Sequence, residues 1–198
     1  SGGTVEHIYG GSNGRYDYEQ VVEGWNVFAF GSSHDEDDAL AWGTAGRPFI
    51  DSTTINLYGG TINTSVYGGG SLGDCRATLI EVNDQVCSPG GTPMSLTING
   101  SVFGGGEGYW EDLNWYGSDG TRHGSVVTNS NGIGATHVNL RHATALTGAK
   151  AYGGGRGGDV DNTNITLFPT WDIPLAAIYG GCWGSTVHGT THVVMNND

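Results

Sequence analysis

The chain has 198 residues, 37 of them glycine, and a formal net charge of −13 with only seven Lys plus Arg. That charge excludes a nucleic-acid partner, which needs a basic face to displace counterions, and disfavours anionic membranes. No apolar run is long enough to span a bilayer, and the glycines and aromatics are too regularly placed for a disordered low-complexity chain.

The first element is Tyr9-Gly10-Gly11, an aromatic-Gly-Gly turn. It returns as Tyr67-Gly68-Gly69-Gly70, Phe103-Gly104-Gly105-Gly106, Tyr152-Gly153-Gly154-Gly155 and Tyr179-Gly180-Gly181. The likeness extends beyond the glycines, since Thr61-Ile62-Asn63-Thr64-Ser65-Val66-Tyr67 is matched almost residue for residue by Thr97-Ile98-Asn99-Gly100-Ser101-Val102-Phe103. A second element is a short run alternating with period two: Thr53 to Leu57, Thr136 to Leu140, Thr163 to Leu167 and Thr191 to Met195. Leu140 to Leu167 and Tyr152 to Tyr179 are both 27 residues apart, and Leu167 to Met195 is 28. Two independent landmarks therefore share one period.

A period in the twenties, made of short strands and glycine corners, predicts an all-β fold, a parallel β-helix (β-solenoid) with coils of about 27 residues. Tyr9, Tyr67, Phe103, Tyr152 and Tyr179 should then stack as an aromatic ladder, about 4.8 Å per coil. The longer spacings read as loop insertions at about 15–51, 73–92 and 107–134 of a single module covering 1–198. No capping coil is recognisable, so the module is expected to belong to a longer array or to be covered by other copies of itself end to end.

The first insertion carries His34-Asp35-Glu36-Asp37-Asp38. Asp35, Asp37 and Asp38 could supply oxygens to calcium. Ser33 with Glu36 also forms a capping box, which would make the same residues the start of a short helix ending at Gly43. Cys75 and Cys87 both fall in the second insertion, and a disulfide between them would close a loop there, as suits an extracellular protein. Cys182 replaces a turn glycine and reads as a packed corner residue.

The third insertion contains Tyr109, Trp110, Glu111, Asp112 and Trp115. Aromatic faces beside carboxylates can grip sugar rings, so these residues are a candidate glycan site; they could equally pin the insertion to the coil. Carboxylate pairs such as Glu107 with Asp112, or Asp35 with Asp38, would serve a glycoside hydrolase. A polysaccharide lyase needs basic residues, and Lys150 with six scattered arginines supplies few. His137 and His192 fall on equivalent strand positions with Asn164 between them, too far apart to share a metal. Asn63, Asn99 and Asn164 each begin an Asn-x-Ser/Thr triplet, of which the first two are repeat-equivalent and suit a stacked amide ladder.

Gly154-Gly155-Arg156-Gly157-Gly158-Asp159-Val160-Asp161 resembles the calcium-binding nonapeptide of RTX proteins, which implies calcium ligands at Asp159 and Asp161. A single copy is present, and Asp161 stands where that repeat has a large apolar residue. The chain as a whole resembles the Gly-rich β-helical repeats of large bacterial cell-surface and adhesin-like proteins. The resemblance implies a secreted or surface-displayed, non-enzymatic module without a cofactor, presenting binding loops to a glycan or host ligand. A self-assembling filament subunit and a carbohydrate-active β-helix enzyme are the other two expectations.

Overall fold

The computed structural model describes residues 3–12, 19–22, 25–28, 49–71, 73–86, 92–110, 122–123, 126, 135–146, 149–168 and 175–196. These residues are all-β, without a helix among them. In chain order, β1 (Thr4–Val5) and β2 (Ile8–Tyr9) precede a hairpin of β3 (Glu19–Val22) and β4 (Trp25–Phe28). Next come β5 (Phe49–Leu57), β6 (Gly60–Ile62), β7 (Val66–Tyr67), β8 (Asp74–Asn83), β9 (Leu96–Ile98) and β10 (Val102–Phe103). A second hairpin, β11 (Tyr109–Trp110) with β12 (Arg122–His123), follows. The chain then runs through β13 (Ala135–His142), β14 (Lys150–Tyr152), β15 (Asn162–Leu167), β16 (Ala177–Tyr179) and β17 (Thr191–Met195).

Outside the hairpins every pairing is parallel, and each sheet keeps sequence order. The first sheet runs β5-β8-β13-β15-β17, the second β2-β7-β10-β14-β16, and the third β1-β6-β9, prolonged by a bridge from Thr97 to Ala145. A line of single bridges joins Cys75, Val126, Val160 and Val187. The chain thus visits each sheet in turn and returns to it one strand further along.

The register explains the alternation in the sequence. Thr53, Thr78, Thr136, Thr163 and Thr191 lie opposite one another along the first sheet. So do Ile55, Ile80, Val138, Ile165 and Val193. Period-two geometry sends both rows to one face. There Ile80, Val138 and Ile165 are fully buried against Ile62, Leu96, Ile98, Val66 and Val102 from the other two sheets. Each such side chain stabilises the fold by roughly 1.5–3 kcal/mol. The opposite face carries the exposed Thr54, Asn56, His137 and His192. His137, Asn164 and His192 are successive members of one outward row.

The threonine row has a second duty. Thr53, Thr78, Thr136 and Thr163 donate their hydroxyls across the interior to the carbonyls of Gly68, Gly104, Gly153 and Gly180, at 2.5 to 2.6 Å. Each acceptor is the first glycine of an aromatic-Gly-Gly turn. A buried carbonyl without a partner would cost about 1–3 kcal/mol, so these hydroxyls make the tight turn affordable. Glycine is required there because a Cβ on Gly104 would overlap the Gly153 carbonyl oxygen of the next turn.

The insertion boundaries need correction. Residues 74–83, placed in an insertion at 73–92, are the strand β8. Thr78-Leu79-Ile80-Glu81-Val82 carries the same inward alternation as its neighbours, which the charges around it obscure. Phe49 to Asp51 belong to β5 and not to the insertion at 15–51. In the third insertion, 107–134, Glu107 and Gly108 are hydrogen-bonded to Gly70 and Ser71, and Val126 returns to the stack.

Candidate functional site

The site is built from the five aromatic-Gly-Gly turns. Val66 and Val102 point inward, so the alternation turns Tyr67 and Phe103 to the outer side of the same strands. The rings of Tyr9, Tyr67, Phe103, Tyr152 and Tyr179 stack in order, with centroids 5.1, 5.0, 4.8 and 4.9 Å apart and planes within 12° of parallel. Rung spacing fixes these separations, which are close to those of stacked aromatic pairs in general.

After each turn the backbone makes one more parallel ladder. Glu107 and Gly108 donate their N–H groups to Gly70 and Ser71, Arg156 and Gly157 to Gly106 and Glu107, and Trp183 and Gly184 to Gly155 and Arg156, at 2.7 to 3.0 Å. Ser71, Glu107, Arg156 and Trp183 therefore flank the rings. Glu107 accepts the Tyr9 hydroxyl at 2.6 Å and the Ser71 hydroxyl at 3.3 Å, and pairs with Arg156 at 3.1 Å. The Arg156 guanidinium lies 5.2 Å from the Trp183 ring centre, a cation–π contact. Burial, reinforced by the Glu107 carboxylate, holds the Tyr9 hydroxyl well above the ordinary phenol range and raises that of Tyr67. Tyr9 remains a protonated donor.

Both hairpins leave the stack from this ladder. Ser12, whose carbonyl accepts from Ser71 and Gly73, is followed by the segment containing β3 and β4. Gly108, bonded to Ser71, is followed directly by β11. Gly108 has φ of +70°, the left-handed conformation that glycine adopts without a Cβ clash. The two exits are separated by the single rung of Gly70 to Gly73, which puts them about 9.6 Å apart. Each hairpin is antiparallel, with Tyr109 opposite His123 and Trp110 opposite Arg122 in the second, and Glu19 opposite Phe28 in the first.

Of the glycan candidates, Tyr109 and Trp110 form β11, while Glu111, Asp112 and Trp115 lie outside the described residues, as do Asp35, Asp37 and Asp38. Asp159 accepts the Thr186 N–H at 2.9 Å and approaches the His188 ring at 3.3 Å. Asp161 takes part in the backbone pairing to Val126 and Gly189. Among the described residues no three His, Cys, Asp or Glu side chains gather as a metal site. Cys75 is a buried free thiol packed with Val126 and Val160, and burial beside Asp74 pushes its pKa up to about 12. Its expected partner Cys87 lies outside the described residues. Cys182 packs against the same small cluster. Asn63 donates to Glu6, its equivalent one rung earlier, at 2.7 Å.

Two groups act in ways that the sequence does not disclose. Glu107 bonds to residues of three other rungs, Tyr9, Ser71 and Arg156. Asp84, 1% exposed, accepts the Thr144 hydroxyl at 2.6 Å and the Leu96 N–H at 3.3 Å, and also pairs with the His142 ring. Burial raises its pKa, but the hydrogen bonds from Thr144, His142, Leu96 and Gln85 outweigh this and hold it below the usual carboxylate range. No signal in the sequence marks Asp84, because its partners other than the adjacent Gln85 lie 12 and about 60 positions away. Compared with protein-family models, curated proteins and solved structures, the chain matches none.

Proposed function

We propose that this protein is a β-solenoid rod that presents binding hairpins, an extracellular or cell-surface module whose work is adhesion and not turnover. The observation that carries the reading is the shared exit of the two hairpins. Both are inserted at the same corner of the repeat, two rungs apart, on a backbone held by parallel ladders. A rigid stack keeps the exits at fixed spacing, the condition under which two loops can act on one ligand without losing entropy on binding. Glu107 and Arg156, fixed to Tyr9 and to each other, serve as the footing of the second hairpin.

A glycan is the proposed ligand, because Tyr109, Trp110 and Trp115 bring aromatic faces, with Glu111 and Asp112 as acceptors for sugar hydroxyls. The test is binding of the purified chain to immobilised polysaccharides, with Trp110→Ala and Trp115→Ala as variants. Each should weaken binding by about tenfold, with the ligand recovered chemically unchanged. Undiminished binding by the double variant would remove the hairpin from the account, and shortened saccharide products would replace adhesion by catalysis.

A further inference from the structure

We propose that the outer face of the first sheet carries a second glycan subsite, built on β8 and β13 around Arg141 and His142, and that it takes an uncharged linear polysaccharide. The inference rests on the reading of the protein as a glycan binder, but none of its residues belongs to a hairpin.

The site begins at an irregularity. β13 pairs with β8 in register as far as Leu140 with Val82, after which the register shifts and His142 falls opposite Asn83. Arg141 is the extra residue of a β-bulge, which bends a strand and re-aims its side chains. The alternation of β13 stops there. Leu140 and Ala143 are fully buried, while Arg141 and His142 between them both reach the surface, with 36% and 23% of their side chains exposed. Two adjacent polar side chains therefore stand side by side in the middle of the sheet, with β8 to one side and β15 to the other.

Each of the two is held from behind. The Arg141 Nε donates to one Glu81 oxygen at 3.0 Å, and the guanidinium lies 3.5 Å from the centre of the Phe168 ring. The other Glu81 oxygen accepts the Asn139 amide. Buried Asp84 faces the Nδ1 of His142 and is itself fixed by the Thr144 hydroxyl and the Leu96 N–H. In the uncharged ring that carboxylate assigns the proton to Nδ1, which makes Nε2 the acceptor. Side chains whose geometry is set before a ligand arrives lose little entropy on binding it.

The ligand follows from the pattern of donors and from charge. Arg141 and Asn139 donate where Glu81 and His142 accept, the mixture that suits hydroxyl groups, which do both. The basic side chains of the patch are matched by Glu81 and Asp84 in a chain of net charge −13, so an acidic polysaccharide would be repelled. The outward row of Asn56, Glu81, Asn139 and Thr166 sets one polar side chain on each of four successive rungs, about 4.8 Å apart. That spacing is comparable to one sugar unit of an extended chain, so a linear polymer lying along the stack meets a polar group at each step.

The test is binding of the purified chain to immobilised β-glucan, mannan and xylan, with polygalacturonate as the acidic comparison, for wild type, Arg141→Ala, Glu81→Gln and Trp110→Ala. At least one uncharged polymer should bind in preference to polygalacturonate. Arg141→Ala should weaken that binding about tenfold and Glu81→Gln about fivefold, with the β signal in circular dichroism retained. Glu81→Gln keeps the shape of the side chain and carries the test if Arg141→Ala loses that signal. Binding unchanged in both variants but lost in Trp110→Ala would overturn this subsite and leave the hairpin reading standing. Losses in both with Trp110→Ala unaffected would support the subsite and remove the hairpin. Preference for polygalacturonate would overturn the uncharged class, and binding to none of the four polymers would overturn both readings.

Discussion

Ile165 and Val193 lie directly opposite each other on neighbouring strands, in the same inward row, yet one is fully buried and the other is 47% exposed. Their local sequences are nearly the same, Thr-Asn-Ile-Thr-Leu against Thr-His-Val-Val-Met. The inner strand has a rung on either side and the end strand has one. The difference in burial between β15 and β17 therefore comes from one neighbouring strand, and the same residue type should matter greatly in β15 and little in β17.

That contrast can be broken by paired substitutions. Ile165→Ala should cost about 3–4 kcal/mol in urea unfolding, whereas Val193→Ala should cost less than about 1 kcal/mol. Equal losses would mean that the end strand is covered after all. Next in size is the glycine pair. A Cβ on Gly105 would lie 2.7 Å from the Gly155 nitrogen and 2.9 Å from its Cα, while one on the equivalent Gly181 would meet nothing nearer than Val187 at 4.0 Å. Gly105→Ala should destabilise by about 2–3 kcal/mol and Gly181→Ala by no more than about 0.5 kcal/mol.

Thr136→Val keeps the shape but removes the hydrogen bond to the Gly153 carbonyl, and a loss of about 1–2 kcal/mol is expected. The same change at the exposed Thr191 should be nearly silent. The smallest effect is one of pH. Asp84 is held below its unfolded pKa by hydrogen bonds, so the stability it contributes is complete above about pH 4 and is lost as pH falls through its folded value. An Asp84→Asn chain should lose less stability than wild type between pH 5 and 2, a window set by the carboxylate reference value of about 3.9. Parallel acid titrations of the two would place the role elsewhere.

The sequence discloses this fold where contacts repeat. The aromatic-Gly-Gly turns and the Thr-x-Ile/Val-x-Leu runs recur because each must fit against its own kind, so a spacing visible in one dimension reports a contact in three. Strand β8 was hidden because Cys75, Arg76 and Glu81 sit on it, and outward-facing charges look like a loop when the inward alternation of Thr78, Ile80 and Val82 is not followed. The aromatic side of the corner was legible, but the role of the threonines was not. Their hydroxyls reach carbonyls 15 to 26 residues away, and only the packing of the first sheet against the turns of the second brings the two together. Glu107 and Asp84 were illegible for the same reason, since each is satisfied by residues from different rungs. The hairpins are the converse case: their residues do not repeat, so the sequence reveals their chemistry but not their common corner.

The central claim is a stack whose rungs protect one another, and amide hydrogen exchange in dilute solution tests it most directly. Amides of 135–140 and 162–167 should exchange slowest and together, with 191–195 opening far sooner, because only the inner strands require global unfolding to exchange. If 135–140 exchanged as fast as 191–195, the parallel ladders would not be the framework of this protein.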